Sequence, residues 1–192
     1  MKILIVYANP NPESLSGRVK NLVSGTLKKK GYEVEIRDLY QMQFNPVLTA
    51  ADQAANAAGN LPADIKKEQE FIKWADMIYF IYPIWWTGLP AIIKGYFDRV
   101  LSYGFAYSYD AKGLVKHMGG KKVVILNNYG SPLATYEGAM HDSLKMTSDI
   151  GVMDFCGFEL IEHKFFPSAS SASEEAKSAY LEEIRLLCEK LH

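Results

Sequence analysis

Two hydrophobic periods alternate along the chain, a strand-like one and a helical one. Ile3 to Ala8 is a continuous apolar run, the pattern of a parallel strand buried on both faces. After the polar stretch from Asn9 to Gly17, Val19, Leu22, Val23, Thr26 and Leu27 share one helical face, closed by Lys28 to Lys30 and Gly31. Glu33 to Asp38 alternates as a second strand, so residues 3–38 predict a βαβ unit. Phe44 to Leu48 reads as extended, Thr49 to Ala58 as a short helix capped by Thr49, and Pro62 opens a helix through Trp74. Met77 to Tyr82 is the third strand, and Leu89, Ile92, Ile93, Tyr96, Phe97, Val100 and Leu101 mark the helix that follows it. Between them stands Pro83-Ile84-Trp85-Trp86-Thr87-Gly88. An aromatic excursion over 105–109, where Tyr107 and Tyr109 alternate as in a strand, ends in a loop around Gly113. Lys121 to Leu126 predicts the fourth strand with Asn127 to Pro132 as its exit loop, and residues 134–150 a helix of mixed polarity. Phe155 to His163 reads as the fifth strand and Ser173 to Leu191 as an amphipathic closing helix.

Five strands alternating with helices predict a three-layer α/β sandwich, its parallel sheet covered on both faces. No repeat, low-complexity linker or composition shift divides the 192 residues, and the expectation is one domain over 1–192. Hydrophobic content of 48% with 22% charged residues is ordinary for a soluble globular protein, and a net charge of −1 points to neither nucleic acid nor an anionic membrane surface as partner. Met77 to Ile93 is nearly all apolar, but its two prolines and glycine and the bounding Asp76 and Lys94 argue against membrane insertion. The N-terminal MKILIVYANP carries one lysine and only a strand-length apolar run, which predicts no signal peptide and a cytoplasmic protein. Cys156 and Cys188 stand in no metal-ligand spacing and read as buried, reduced thiols. No metal site is expected.

The first loop contains neither G-x-G-x-x-G nor G-x-x-x-x-G-K-[ST], so a Rossmann or Walker-type nucleotide site is not indicated. A Ser/Asn/Pro-rich loop instead runs into a helix, whose free N–H groups and dipole suit an anion, with Ser14 and Ser16 as added donors. The plain alternative is a serine N-cap. Trp85 and Trp86 alone could fill a gap under the next helix, and Asn127 to Ser131 could be an ordinary turn. In a sheet of order 2-1-3-4-5, however, the loops after strands 1, 3 and 4 converge on one edge, where a planar ring with a phosphate tail binds in flavodoxin-like folds.

Specific blocks carry a resemblance over nearly the whole chain. They are Phe80 to Val100 (FIYPIWWTGLPAIIKGYFDRV), Phe105-Ala106-Tyr107, Cys156-Gly157-Phe158, Asp38-Leu39-Tyr40 and Phe44-Asn45-Pro46. On these the chain resembles the flavodoxin-like NAD(P)H:quinone oxidoreductases. The resemblance implies that Asn9, Ser14, Leu15 and Ser16 meet the phosphates and ribityl chain of a flavin, although the family commonly has histidine where Asn9 stands. It implies that Pro83, Ile84, Trp85 and Trp86 line the isoalloxazine, that Asn128, Tyr129 and Gly130 meet its pyrimidine edge, and that Tyr136 and His141 are catalytic. Trp86, with Tyr107 and Tyr109 of a partner subunit, would face the substrate, and the working form would be a homodimer. FAD is the implied cofactor and FMN the alternative, because the connection from Leu48 to Leu61 is short where the family helps to hold adenine, and Lys177 replaces an arginine. The implied reaction is ping-pong: NAD(P)H reduces flavin N5, then a quinone or similar aromatic acceptor takes the hydride. The alternatives are an ancillary flavoprotein of a potassium-efflux system and a one-electron carrier, the latter disfavoured by the near-zero net charge. His117 and His163 show no partners in the sequence and receive no role.

Overall fold

The computed structural model describes residues 1–190. In chain order come β1 (Lys2–Tyr7), α1 (Leu15–Lys29), β2 (Glu33–Asp38), α2 (Ala50–Ala57), α3 (Ala63–Trp74), β3 (Met77–Pro83) and α4 (Ala91–Val100). A hairpin of β4 (Tyr107–Asp110) and β5 (Gly113–Lys116) follows, then β6 (Lys122–Asn128), α5 (Leu133–Tyr136), α6 (Ala139–Lys145), a π-helical segment (Met146–Asp154), β7 (Glu159–Phe166) and α7 (Glu174–Lys190). The large sheet has the order β2-β1-β3-β6-β7, all pairs parallel, which is the expected 2-1-3-4-5 arrangement of a flavodoxin-like sandwich.

The continuous apolar runs become central strands because both sheet faces are covered. Leu4, Val6, Ile78 and Phe80 pack with Ile72, Ile93, Phe97 and Met153 on one face. Their neighbours Ile3, Ile5, Tyr79 and Ile81 pack with Val19, Val23 and Ile184 of α1 and α7 on the other. Each buried aliphatic side chain contributes roughly 1.5–3 kcal/mol over its exposed state. Two buried ion pairs tie the outer helices to this frame. Arg99 on α4 bonds Asp52 (3.2 Å), Asp64 (2.6 Å) and the Asn45 carbonyl (2.9 Å), and its guanidinium holds the Asp52 carboxyl below the usual range. Arg37 grips Glu68, which also receives the Tyr96 hydroxyl at 3.5 Å. No helix among the described residues is long and apolar enough to cross a membrane.

Four expectations shift. β6 continues through Asn127 and Asn128, so these residues belong to the strand rather than to its exit loop. The helix expected over 134–150 is three pieces: the chain turns at Gly138 (φ 74°), and after α6 the helix widens to the π form, where the N–H of Phe155 reaches back to the Ile150 carbonyl. β7 begins at Glu159, not Phe155, because the helical segment runs on to Cys156 and Gly157 (φ 90°) closes it with a Schellman pair, Phe158 N–H to Met153 O and Gly157 N–H to Asp154 O, both 3.0 Å. The apolar run Phe155 to Phe158 imitates a strand only because it crosses this cap. The aromatic excursion is a hairpin, and the end of the closing helix at Leu191 lies outside the described residues.

The sheet also has a register shift: Val123 pairs with Leu160 but Val124 with Glu162, so Ile161 is an extra residue on β7.

Candidate active site

The chain switches direction across the sheet between β1 and β3, and their carboxyl ends open a crevice with those of β6 and β7. It has a volume of about 460 Å³. Asn9, Asn11, Ser14 and Leu15 line it from the β1 loop, Pro83, Ile84 and Trp85 from β3, Asn128, Tyr129 and Gly130 from β6, and Ala169 and Ser170 from β7.

The β1 loop is wound by its own side chains. Asn9 accepts from the Asn11 N–H (2.9 Å) and Asn11 from that of Glu13 (3.0 Å), two successive Asx turns. Ser14 caps α1, its Oγ accepting from the Gly17 N–H at 3.2 Å, and only glycine fits there because a Cβ would fall 1.8 Å from the Pro12 carbonyl. The N–H groups of Leu15 and Ser16 lie in the first helical turn, where no intrahelical acceptor exists. Ser16 itself is fully buried and accepts from the side-chain amides of Asn128 and, at 3.5 Å, Asn9. It locks the loop to β6, and its hydroxyl does not line the cleft.

The β3 loop is different in kind. The Ile84 N–H bonds the Asn128 carbonyl at 2.7 Å, and Trp85 and Gly88 exchange backbone bonds of 3.1 and 3.0 Å around a two-residue turn. Trp86 and Thr87 have φ of 53° and 51°, the signature of a type I′ turn, which ordinarily takes Asn-Gly. A bulky residue held there costs on the order of 1–2 kcal/mol. Trp86 is wholly exposed and stands outside the cleft lining, whereas Trp85 lines it.

Tyr129 forms the wall on the β6 side. Its ring stacks on Tyr136 at 4.2 Å, and its hydroxyl meets His141 Nε2 at 3.0 Å. Burial, with Lys145 and His163 nearby, holds the His141 imidazole below its ordinary value, and burial pushes the Tyr129 phenol up to about 12. Both are therefore neutral at pH 7. Tyr136 and His141 do not border the cleft themselves; Tyr129 stands between. Tyr107 and Tyr109 lie elsewhere on the chain. Tyr107 lines a separate cavity of about 510 Å³ with Leu48, Arg99 and Tyr103, and Tyr109 is exposed beside it.

Behind Tyr129 runs a buried array that the sequence does not announce. His163 Nδ1 lies 2.7 Å from Asp149 Oδ1 and its Nε2 2.7 Å from Asn127 Oδ1, while Asn127 Nδ2 donates to the Tyr82 carbonyl at 2.9 Å. The Phe165 ring contacts both His163 and His141, with centroids 4.1 and 4.8 Å apart. Asn11, Ala169 and Ser170 were also missed as lining. The run Ser168-Ala169-Ser170-Ser171-Ala172-Ser173 leaving the fifth strand was the available signal, because small polar residues at that edge suit close approach of a ligand.

Fold and crevice together define a flavodoxin-like α/β protein, and the flavodoxin-like fold family Flavodoxin_2 matches residues 1–187. An NAD(P)H oxidoreductase of Haemophilus influenzae, itself uncharacterized, is 36% identical over 95% of this chain and 91% of its own length. Rat NAD(P)H dehydrogenase [quinone] 1 is 32% identical over 94% of this chain and 74% of its own. The NAD(P)H:quinone oxidoreductase of Methanothermobacter marburgensis superposes with a TM-score of 0.88 at 28% identity, covering 100% of this chain and 99% of the other. The chain belongs to the flavodoxin-like quinone reductase family and is an enzyme of that class.

Proposed function

We propose that the protein is a flavin-dependent NAD(P)H oxidoreductase that reduces quinones or similar flat aromatic acceptors. The supporting observation is the donor set of the 460 Å³ crevice: open helix-terminal N–H groups at one end, a flat apolar wall, and polar groups of β6 opposite. That set fits a flavin. A flavin bound there supplies two-electron chemistry between a nicotinamide and an acceptor.

The chain's own residues do the rest. The first turn of α1, with Leu15 and Ser16 N–H and the Ser14 hydroxyl, holds the phosphate end. Pro83, Ile84 and Trp85 seat the ring and exclude water from it. Asn128 and Gly130 place donors along the polar edge, where negative charge is stabilised on reduction, and Tyr129, whose N–H is taken by the Phe166 carbonyl, walls that edge. Tyr129 and His141 hold one shared proton at that wall, with Tyr136 stacked behind. Trp86 covers the acceptor from the outside. Tyr107 and Tyr109 are too remote to serve their own protomer's crevice, so in this reading they reach that of a second copy in a cytoplasmic homodimer. The proposed cofactor is FAD, and the mass of the released flavin distinguishes it from FMN.

Anaerobic mixing of the purified flavin-loaded protein with NADH or NADPH is expected to bleach the band near about 450 nm, and a quinone to restore it. Failure of both nucleotides to bleach it overturns the enzyme reading.

A further inference from the structure

The geometry points to His163 as a positioning residue: a buried imidazolium, paired with Asp149, that fixes the Asn127 amide and presents its positive end toward the cleft wall on the β6 side. The inference begins with the donors and acceptors. The Tyr82 carbonyl can only accept, so the group of Asn127 that faces it is the NH₂, and the Asn127 oxygen must face His163. His163 Nε2 therefore donates. Its other nitrogen, Nδ1, faces a carboxyl oxygen of Asp149 at 2.7 Å; Ser148 Oγ lies 2.8 Å from the same oxygen and 2.8 Å from the Leu144 carbonyl, between which it divides its one proton. With Asp149 ionised, both ring nitrogens meet acceptors and the ring carries two protons. The His163 side chain is 3% exposed and that of Asp149 15%, so water screens the pair only weakly.

This array couples to the cleft by three routes. Asn127 bonds the Tyr82 carbonyl, which precedes Pro83 at the cleft floor. Asn128, the next residue on β6, lines the cleft and clamps Ser16. Phe165 separates His163 from His141, so the cation lies one ring away from the group that shares the Tyr129 proton. Asp149 stands on the far side of His163 from Asn127, and the pair is thus a dipole with its positive end toward β3 and β6. Such a dipole favours negative charge in the cleft. The role toward a reduced flavin rests on the reading of the cleft as a flavin site; the ion pair does not.

Two measurements separate these. In ¹⁵N-histidine NMR of the protein as purified, at pH 8, one of the four histidines is expected to show two protonated ring nitrogens. That signal is expected to vanish in His163→Gln and to revert to a single N–H in Asp149→Asn, where the new amide can donate to Nδ1. A singly protonated His163 in the unaltered protein overturns the ion pair whether or not flavin is bound. In potentiometric titration of the flavin-loaded protein, both variants are expected to lower the binding of reduced relative to oxidised flavin several-fold, and Asp149→Asn to retain the affinity for oxidised flavin. A tenfold change corresponds to about 30 mV for a two-electron couple. An unchanged ratio in the folded variants overturns the link to the cleft while leaving the ion pair standing. Absence of any flavin binding by the unaltered protein overturns the functional reading instead.

Discussion

The segments leaving β3 and β6 form two walls of one crevice and are built on opposite principles. On β6, the polar side chains are buried and bonded: Asn128 to Ser16, Asn127 to both Tyr82 and His163. No residue from 127 to 131 has a positive φ. On β3, the turn carries two non-glycine residues at positive φ, and its tip, Trp86, touches little of the rest of the chain. Groups whose lone pairs must be aimed are fixed by several bonds each. The aromatic surface that the proposed function gives to flat acceptors is left on a strained, exposed tip, where strain can be relieved by whatever packs against it.

Three experiments test that contrast. Asn127→Leu removes a bonded amide from the rigid wall, leaving the His163 N–H unsatisfied and taking from the Tyr82 carbonyl its side-chain donor, so urea unfolding is expected to show a loss of about 2 kcal/mol. A loss no larger than that of a surface substitution would mean that the wall is not rigid through these bonds. On the β3 side, Trp86→Asn with Thr87→Gly supplies the residues a type I′ turn takes, and stability is expected to rise by about 1 kcal/mol while kcat/KM for quinones falls roughly tenfold. Lower stability would show that the strain is not where the dihedrals put it. The smallest effect is electrostatic. Removing the cation in Lys145→Ala is expected to raise the NMR titration midpoint of His141 by a few tenths of a pH unit. Because folding lowers the His141 midpoint, the unfolded chain takes up the proton first, and stability falls as the pH drops through about 6.5. Lys145→Ala reduces that acid loss.

The fold was readable where a single physical cause set the pattern. Ile3 to Ala8 and Met77 to Tyr82 are apolar throughout because both sheet faces cover them, and Thr49 does cap α2, in a full capping box with Asp52. The β1, β3 and β6 segments of the cleft were readable because strand order brings them together whatever their conformation. Conformation itself was not. Nothing in Trp86-Thr87 announces a type I′ turn, since the residues are the wrong ones for it. The start of β7 was hidden by apolar residues common to a helix end and a strand. His163 was illegible because its bonded partners come from two other elements, Asn127 on β6 and Asp149 on a widened helix whose period no α-helical reading follows.

The extra residue at Ile161 has a consequence for how the chain can change. A strand normally couples length to phase: one residue more turns every later side chain to the other face. Here Ile161 is absorbed, so Leu160 and Phe165 pack on one face while Ile161 and Phe166 pack on the other. The helix cap at Gly157 can therefore set where β7 begins while His163, Phe165 and Phe166 keep their orientation at the cleft end. Deleting Ile161 would leave a regular strand with His163 still opposite Ile125, whereas deleting Lys164 would turn Phe165 to the face opposite His163. The bulge is a slack link: a place where heredity can lengthen or shorten the gene by one codon without disturbing the chemistry downstream.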